Sequence, residues 1–149
     1  MITIKNTQRT VTINTKQLAA DAQKLLDALG YSDFDIGIWI TTDQTMRSYN
    51  KRYRHKDRTT NILSFPYHAN IKPGDRITPT CPEDKNLGDL LLSAAYIQRE
   101  VRELKQPLAD HLRMLLIHGI CHLIGYDHDT SAQYAAMHAE EKRLAKLLA

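Results

Sequence analysis

The spacing of hydrophobic and polar positions changes several times along the chain, and each change predicts an element. Ile2 to Lys5 and Thr10 to Ile13 alternate apolar and polar residues, the pattern of short half-buried strands. Thr15 is placed to cap a helix from Lys16 to about Leu29, with an apolar stripe of Leu18, Ala22, Leu25, Leu26 and Leu29, and Gly30 is a natural stop. Phe34 to Thr41 alternates again, with Phe34, Ile36, Ile38 and Ile40 on one face, and reads as a strand. Asp43 can cap a helix to roughly Tyr53 that buries Met46, Tyr49 and Tyr53.

Thr60 to Phe65 reads as a strand that Pro66 stops. Tyr67 to Asn86 holds Pro73, Gly74, Pro79 and Pro82 and few periodic apolar residues. A loop of that length is either functional or mobile. Leu87 to Leu92 is a further strand, Ser93 caps a helix to about Lys105, and Pro107 opens another that runs to Ile124 and ends at Gly125. A last helix, Ser131 to Leu148, carries Tyr134, Met137, Glu141, Leu144 and Leu148 around one side. Strands and helices in no strict alternation predict an α+β fold: a small mixed β-sheet of about four strands with helices packed on it. With no repeat or linker in sight, residues 1–149 read as one domain.

Composition changes this picture little. The chain is 42% hydrophobic and 25% charged, which is ordinary for a globular protein. Its two cysteines, Cys81 and Cys121, form no close pair, so two free thiols in a reduced, cytoplasmic protein are expected. MITIKNTQRT has no apolar core or small-residue cleavage site, so no signal peptide is expected. The most apolar stretch, Met114 to Ile124, is too short and too polar to span a bilayer. A net charge of +3 is compatible with an acidic partner without requiring one.

Candidate chemistry concentrates in His118-Gly-Ile-Cys-His122-Leu-Ile-Gly125-Tyr-Asp-His128. His118 and His122 lie four apart on a helix, so both imidazoles can reach one ion. Gly125 can turn the chain so that His128 returns as a third ligand. Three imidazoles with an open fourth position describe a catalytic metal site, most naturally Zn2+, in which a bound water loses its proton near a pKa of ~7. The competing assignment is two satisfied core histidines and one solvated one. Their setting among Met114, Leu115, Leu116, Ile117, Ile120 and Leu123 makes unpartnered imidazoles costly and favours the metal. The spacing equals that of the metzincins, a zincin-like histidine-bearing helix, but Gly119 stands where those peptidases carry their general-base glutamate. Peptidase chemistry is therefore disfavoured.

Arg47, Lys51, Arg52, Arg54, Lys56 and Arg58 fall within twelve residues, with Tyr49 and Tyr53 interleaved. A solvated helix face is one reading; a site that neutralises phosphates and stacks bases is the other. Beside a hydrolytic metal the second gains weight, with an arginine of this run stabilising phosphate charge and Arg52 and Lys56 among the candidate substrate contacts.

The histidine block resembles the signature of the YbeY family of rRNA-maturation endoribonucleases. So do Tyr53-Arg54-His55-Lys56-Asp57 with Asn61-Ile-Leu-Ser-Phe-Pro66, and Leu87-Gly-Asp89 with Ser93. The resemblance covers roughly Ile36 to Leu148. It implies a zinc-dependent single-strand endoribonuclease acting in 16S rRNA 3′-end maturation and ribosome quality control at the small ribosomal subunit. It also implies that His118, His122 and His128 are the ligands and Arg54 the functional arginine. Thr59 departs from the family's usual proline, and Asp-Thr-Ser-Ala-Gln after His128 is less acidic than in many relatives. The alternative is a zinc-stabilised, non-catalytic RNA-binding ribosome-assembly factor.

Other residues receive plainer assignments. Asp127 is either a turn carboxylate or an orienting group, and Asp89 makes a structural turn bond. Ser64 packs in its strand, His111 is a core or peripheral histidine, and Cys121 and Met137 are core. His55, His68 and His138 have no recruiting spacing, and Glu100, Glu103, Glu140 and Glu141 are not placed by sequence to act as a base.

Overall fold

The computed structural model describes residues 1–149. Four strands form one sheet: β1 (Ile2–Asn6), β2 (Asp35–Thr41), β3 (Ile62–Pro66) and β4 (Asn86–Ser93). They are ordered β1-β2-β4-β3, parallel except for β3, which runs antiparallel to β4 along the sheet's edge. Five α-helices accompany them: α1 (Thr15–Leu29), α2 (Asp43–Arg54), α3 (Ala94–Leu104), α4 (Leu108–Leu123) and α5 (Ser131–Leu148). This is the mixed α+β arrangement that the hydrophobic pattern predicts.

Alternation in β2 decides which face is dry. Ile36, Ile38 and Ile40 are buried with Leu90 and Leu92 of β4 in one core cluster, shared with Leu25 and Leu26 of α1 and Leu116 and Ile120 of α4. The opposite face holds a smaller cluster of Met46, Leu63 and Leu91, which α2 covers.

One predicted strand does not form. At Thr10 to Ile13 the buried Gln8 side chain takes over the backbone: its amide donates to the Val11 carbonyl (2.8 Å) and its oxygen accepts from the Val11 N–H (2.9 Å). Those groups are spent locally and leave no ladder to build. Two helix starts also differ by one residue. Asn14 caps α1 by accepting from Gln17 N–H, and Thr42 caps α2 by accepting from Thr45 N–H. Ser93 stands at the N-terminal boundary of α3 but donates its hydroxyl to Asp43 instead of capping.

Asp43 is a junction. It accepts from Thr59 (2.9 Å) and Ser93 (2.8 Å) and pairs with Arg99 (2.8 Å), tying α2 and the loop after it to α3. Partial burial pushes its carboxyl up, but the hydrogen bonds from Arg99, Ser93 and Thr59 outweigh this and hold it below the usual carboxylate range.

Helix α4 approaches the sheet most closely at Gly119. A Cβ there would lie 2.8 Å from both Ile62 Cδ1 and Leu90 Cδ2. At the position that peptidases give to a catalytic glutamate, any side chain would have to displace Ile62 and Leu90.

Two outcomes are expected. Gly119→Glu drives a carboxylate into Ile62 and Leu90 and should cost at least about 3 kcal/mol, read as a fall in the urea midpoint or a failure to fold. Asp43→Asn should cost about 1 kcal/mol after allowing for solvent screening. Because the Asp43 carboxyl is held low, its contribution is present above pH ~4 and fades as pH falls through the folded-state value. Wild type and Asp43→Asn should therefore converge in stability in an acid denaturation series.

Candidate metal centre

The last two turns of α4 carry His118 and His122, whose Nε2 atoms face each other at 3.2 Å. The other nitrogen of each ring is already engaged. His118 Nδ1 donates to Glu141 Oε2 (3.0 Å), and His122 Nδ1 donates to the Tyr126 carbonyl (2.9 Å). A carbonyl and a carboxylate can only accept, so each Nδ1 carries a proton, and in the neutral rings both Nε2 lone pairs point into the same space. Two converging lone pairs repel unless a cation lies between them. Burial, reinforced by the neighbouring His118, lowers the pKa of His122 and favours the neutral form that a ligand must have.

His128 completes the group. Gly125, at φ +105°, turns the chain after α4, and a Cβ there would meet the Ile71 carbonyl oxygen at 2.5 Å. The His128 ring then lies 5.5 Å from that of His118 and 5.1 Å from that of His122, centroid to centroid. One ligand atom from each of the three residues lies within 4.8 Å of the others. The donor set fits one borderline-soft divalent ion, with zinc, nickel, copper and iron all suited to imidazole.

The cleft above this cluster has a volume of about 760 Å³. Arg54, the last residue of α2, lines it and is fixed by donating Nη2–H to the Ser64 carbonyl (2.7 Å) and Nη1–H to the Tyr53 carbonyl (3.3 Å). Lys56 and Arg58 also line it, on a loop held by Asn50, whose side-chain amide donates to the Arg58 carbonyl (2.8 Å). Arg52 does not line the cleft; its guanidinium lies 5.9 Å from the Tyr53 ring centre on the outer side.

Several assignments shift once the chain is folded. Asp89 closes no turn: Asn86 accepts from Gly88 N–H instead, and the Asp89 carboxyl lies against Gly37. Asp127 accepts from the His128 backbone N–H (2.8 Å), so it sets the ligand's backbone. Ser64 does line the cleft, donating to the Gly119 carbonyl (3.4 Å). His111 is buried and paired with Glu100 and Gln106. Cys121 is buried, and burial pushes its thiol up to about 12; Met137 is core.

Two features around the histidine cluster escaped the sequence reading. Glu141 holds His118 from α5, and its signal was a lone acid on the stripe of Met137, Leu144 and Leu148. His68 enters the cleft from the long loop, with Nε2 paired to the Asp84 carbonyl (2.8 Å), and carried no signal of its own. That loop is docked on the core: Ile77 is buried, its N–H donates to the Tyr31 hydroxyl (3.1 Å), and Arg76 donates to the carbonyls of Leu29 and Gly30.

Comparison with known proteins follows the same lines. The chain is 34% identical over 141 residues to the human protein named Endoribonuclease YbeY, covering 95% of this chain and 84% of that one. It is 36% identical over 151 residues to the protein of the same name from Geobacter metallireducens, covering 99% and 95%. The solution structure of TM1509 from Thermotoga maritima shares the fold, with a TM-score of 0.58 at 20% identity over 98% of this chain and 90% of that one. The family described as Endoribonuclease YbeY matches residues 3–149, and the chain belongs to that family.

Proposed function

We propose that this chain is a metal-dependent endoribonuclease for single-stranded RNA, with residues 1–149 acting as one catalytic unit and His118, His122 and His128 holding one zinc ion. The observation that carries the reading is the pair of Nε2 lone pairs converging at 3.2 Å in a cleft lined by Arg54 and Lys56. Held by His118, His122 and His128, a zinc ion would supply Lewis-acid chemistry at neutral pH and counter phosphate charge.

The chain's own groups prepare that chemistry. Glu141 and the Tyr126 carbonyl fix the two imidazole tautomers and orient the rings. Arg54 spends two of its five N–H donors on the carbonyls of Ser64 and Tyr53. The remaining donors of a guanidinium already fixed in place are free to hold a phosphate as its charge grows. Lys56 and Arg58 add positive charge along the cleft, and Arg52 contributes from outside it. The resemblance extends the reading to 16S rRNA 3′-end maturation and ribosome quality control in the cytoplasm, at the small ribosomal subunit. No helix is long and apolar enough to cross a membrane.

A structural zinc would make folding depend on the ion. Here the 27-residue apolar core is assembled without the histidine ligands, which argues for the catalytic assignment over the assembly-factor one. Metal-replete protein is expected to cleave single-stranded RNA in preference to duplex. Chelation should abolish cleavage while the thermal midpoint falls by only a few degrees; unfolding on chelation would favour a structural metal. Arg54→Ala should lower turnover by about 10²–10³ with metal content unchanged by elemental analysis, and Arg54→Lys should recover only part of it. Glu141→Gln should weaken metal affinity by about 10–100-fold in a chelator competition, with turnover largely restored at saturating metal.

A further inference from the structure

The sheet's second face is only partly covered. Beyond the end that α2 packs on lies an open groove of about 490 Å³. Gly37, Asp89 and Leu91 contribute to it, with the rings of Trp39, Tyr53 and Phe65 around it. The aromatic rings form one connected group: Trp39 meets Tyr49 edge-on at 5.5 Å, Tyr49 stacks with Tyr53 at 5.7 Å, and Tyr53 meets Phe65 at 5.4 Å. Tyr53 keeps 47% of its surface exposed.

Cations accompany these rings. Lys5 lies 4.6 Å from the centre of Trp39, Arg52 5.9 Å from Tyr53, and Arg54 5.1 Å from Phe65. None of the three is paired with a carboxylate, whereas Arg47 and Lys51 nearby are both held by Asp57. Packing α2 to the sheet explains why aromatic residues stand here. It does not explain three unneutralised cations beside their rings.

We propose that this groove is a second binding surface for the single-stranded RNA that occupies the metal cleft, stacking bases on Trp39, Tyr53 and Phe65 while Lys5 and Arg52 take phosphates. The proposal rests on the ribonuclease reading above. Charge and continuity support it. Aromatic platforms flanked by cations bind single strands with little sequence preference. The groove also adjoins the cleft across one edge strand: Ser64 lines the cleft, its neighbour Phe65 lines the groove, and Arg54 touches both residues. A strand leaving the cleft has only the thickness of β3 to cross.

Asp89 fits a base better than a phosphate. Its carboxyl lies where a Gly37 side chain would begin, 2.2 Å from that Cβ position, and no hydrogen bond to the protein engages it. Burial pushes its carboxyl up. An exocyclic amino group of adenine or cytosine is the complementary partner.

Trp39 is the only tryptophan in the chain, so its fluorescence reports on the groove alone. Holoprotein is mixed in stopped flow, before turnover, with oligoadenylates of about four or about twelve nucleotides, lengths within the range of single-strand sites. The longer strand should quench Trp39 and the shorter should not. Tyr53→Leu, which keeps an apolar contact with the sheet, should weaken the longer strand about tenfold by anisotropy. Lys5→Glu, at an exposed strand position, should also weaken it and reduce the quench. Binding of both strands with Trp39 unquenched, or unchanged affinity in both variants, would overturn the groove and leave the cleft reading standing; such a face would serve a protein partner. If neither strand binds wild type, both readings fall.

Discussion

Helix α4 lies so close to β3 and β4 at Gly119 that any side chain there would begin against Ile62 and Leu90. Much of the site depends on that contact. It sets the height of the helix over the sheet and its rotation about its own axis, and so decides where the next positions point. With Gly119, Ile120 and Leu116 turned inward, His118 and His122 fall at the margin between core and solvent. There an imidazole is half-buried, held by the fold and still open to a ligand. A side chain at this position would have to displace Ile62 and Leu90, and the glycine found there carries none of the carboxylate of a peptidase helix.

Around that helix the fold divides its labour. The apolar core is complete without the site, so the histidines are free to serve an ion. Tautomers are fixed from two directions, by a carboxylate on α5 and by a carbonyl in the turn after α4. The positive wall comes from a third direction, the end of α2 and its loop. Asp43 ties that loop to α3, and Asn50 holds its backbone at Arg58. Apart from the exposed Arg99 pair with Asp43, these supports are half-buried hydrogen bonds, where water competes less.

Much of this was legible beforehand. The period of apolar positions located four strands and five helices because burial on one face imposes a period of 2 or 3.6 on the sequence. It failed at Thr10 to Ile13, where alternation is present but Gln8 occupies the backbone groups a ladder would use. Val11 and Ile13 still pack on the core, so the pattern there reported burial rather than strand. Loop behaviour was harder to read. Composition leaves Tyr67 to Asn86 either functional or mobile; in the fold, Ile77 and Arg76 fasten it to α1 and the turn after it, and its first residues join the cleft.

The sequence by itself determined the histidine set, since i, i+4 spacing on a helix and a glycine at the return are local geometry. It marked Arg54, Lys56 and Arg52 as substrate contacts through the basic run they share and the family resemblance. Tertiary structure alone decided the rest. Glu141 reaches His118 from 23 residues away, His68 enters from a loop, and Arg52 turns outward although it sits two positions from Arg54. The physical reason is common to all three. Short-range spacing fixes which side chains share one face of one element, whereas which elements meet is set by how their apolar faces close together.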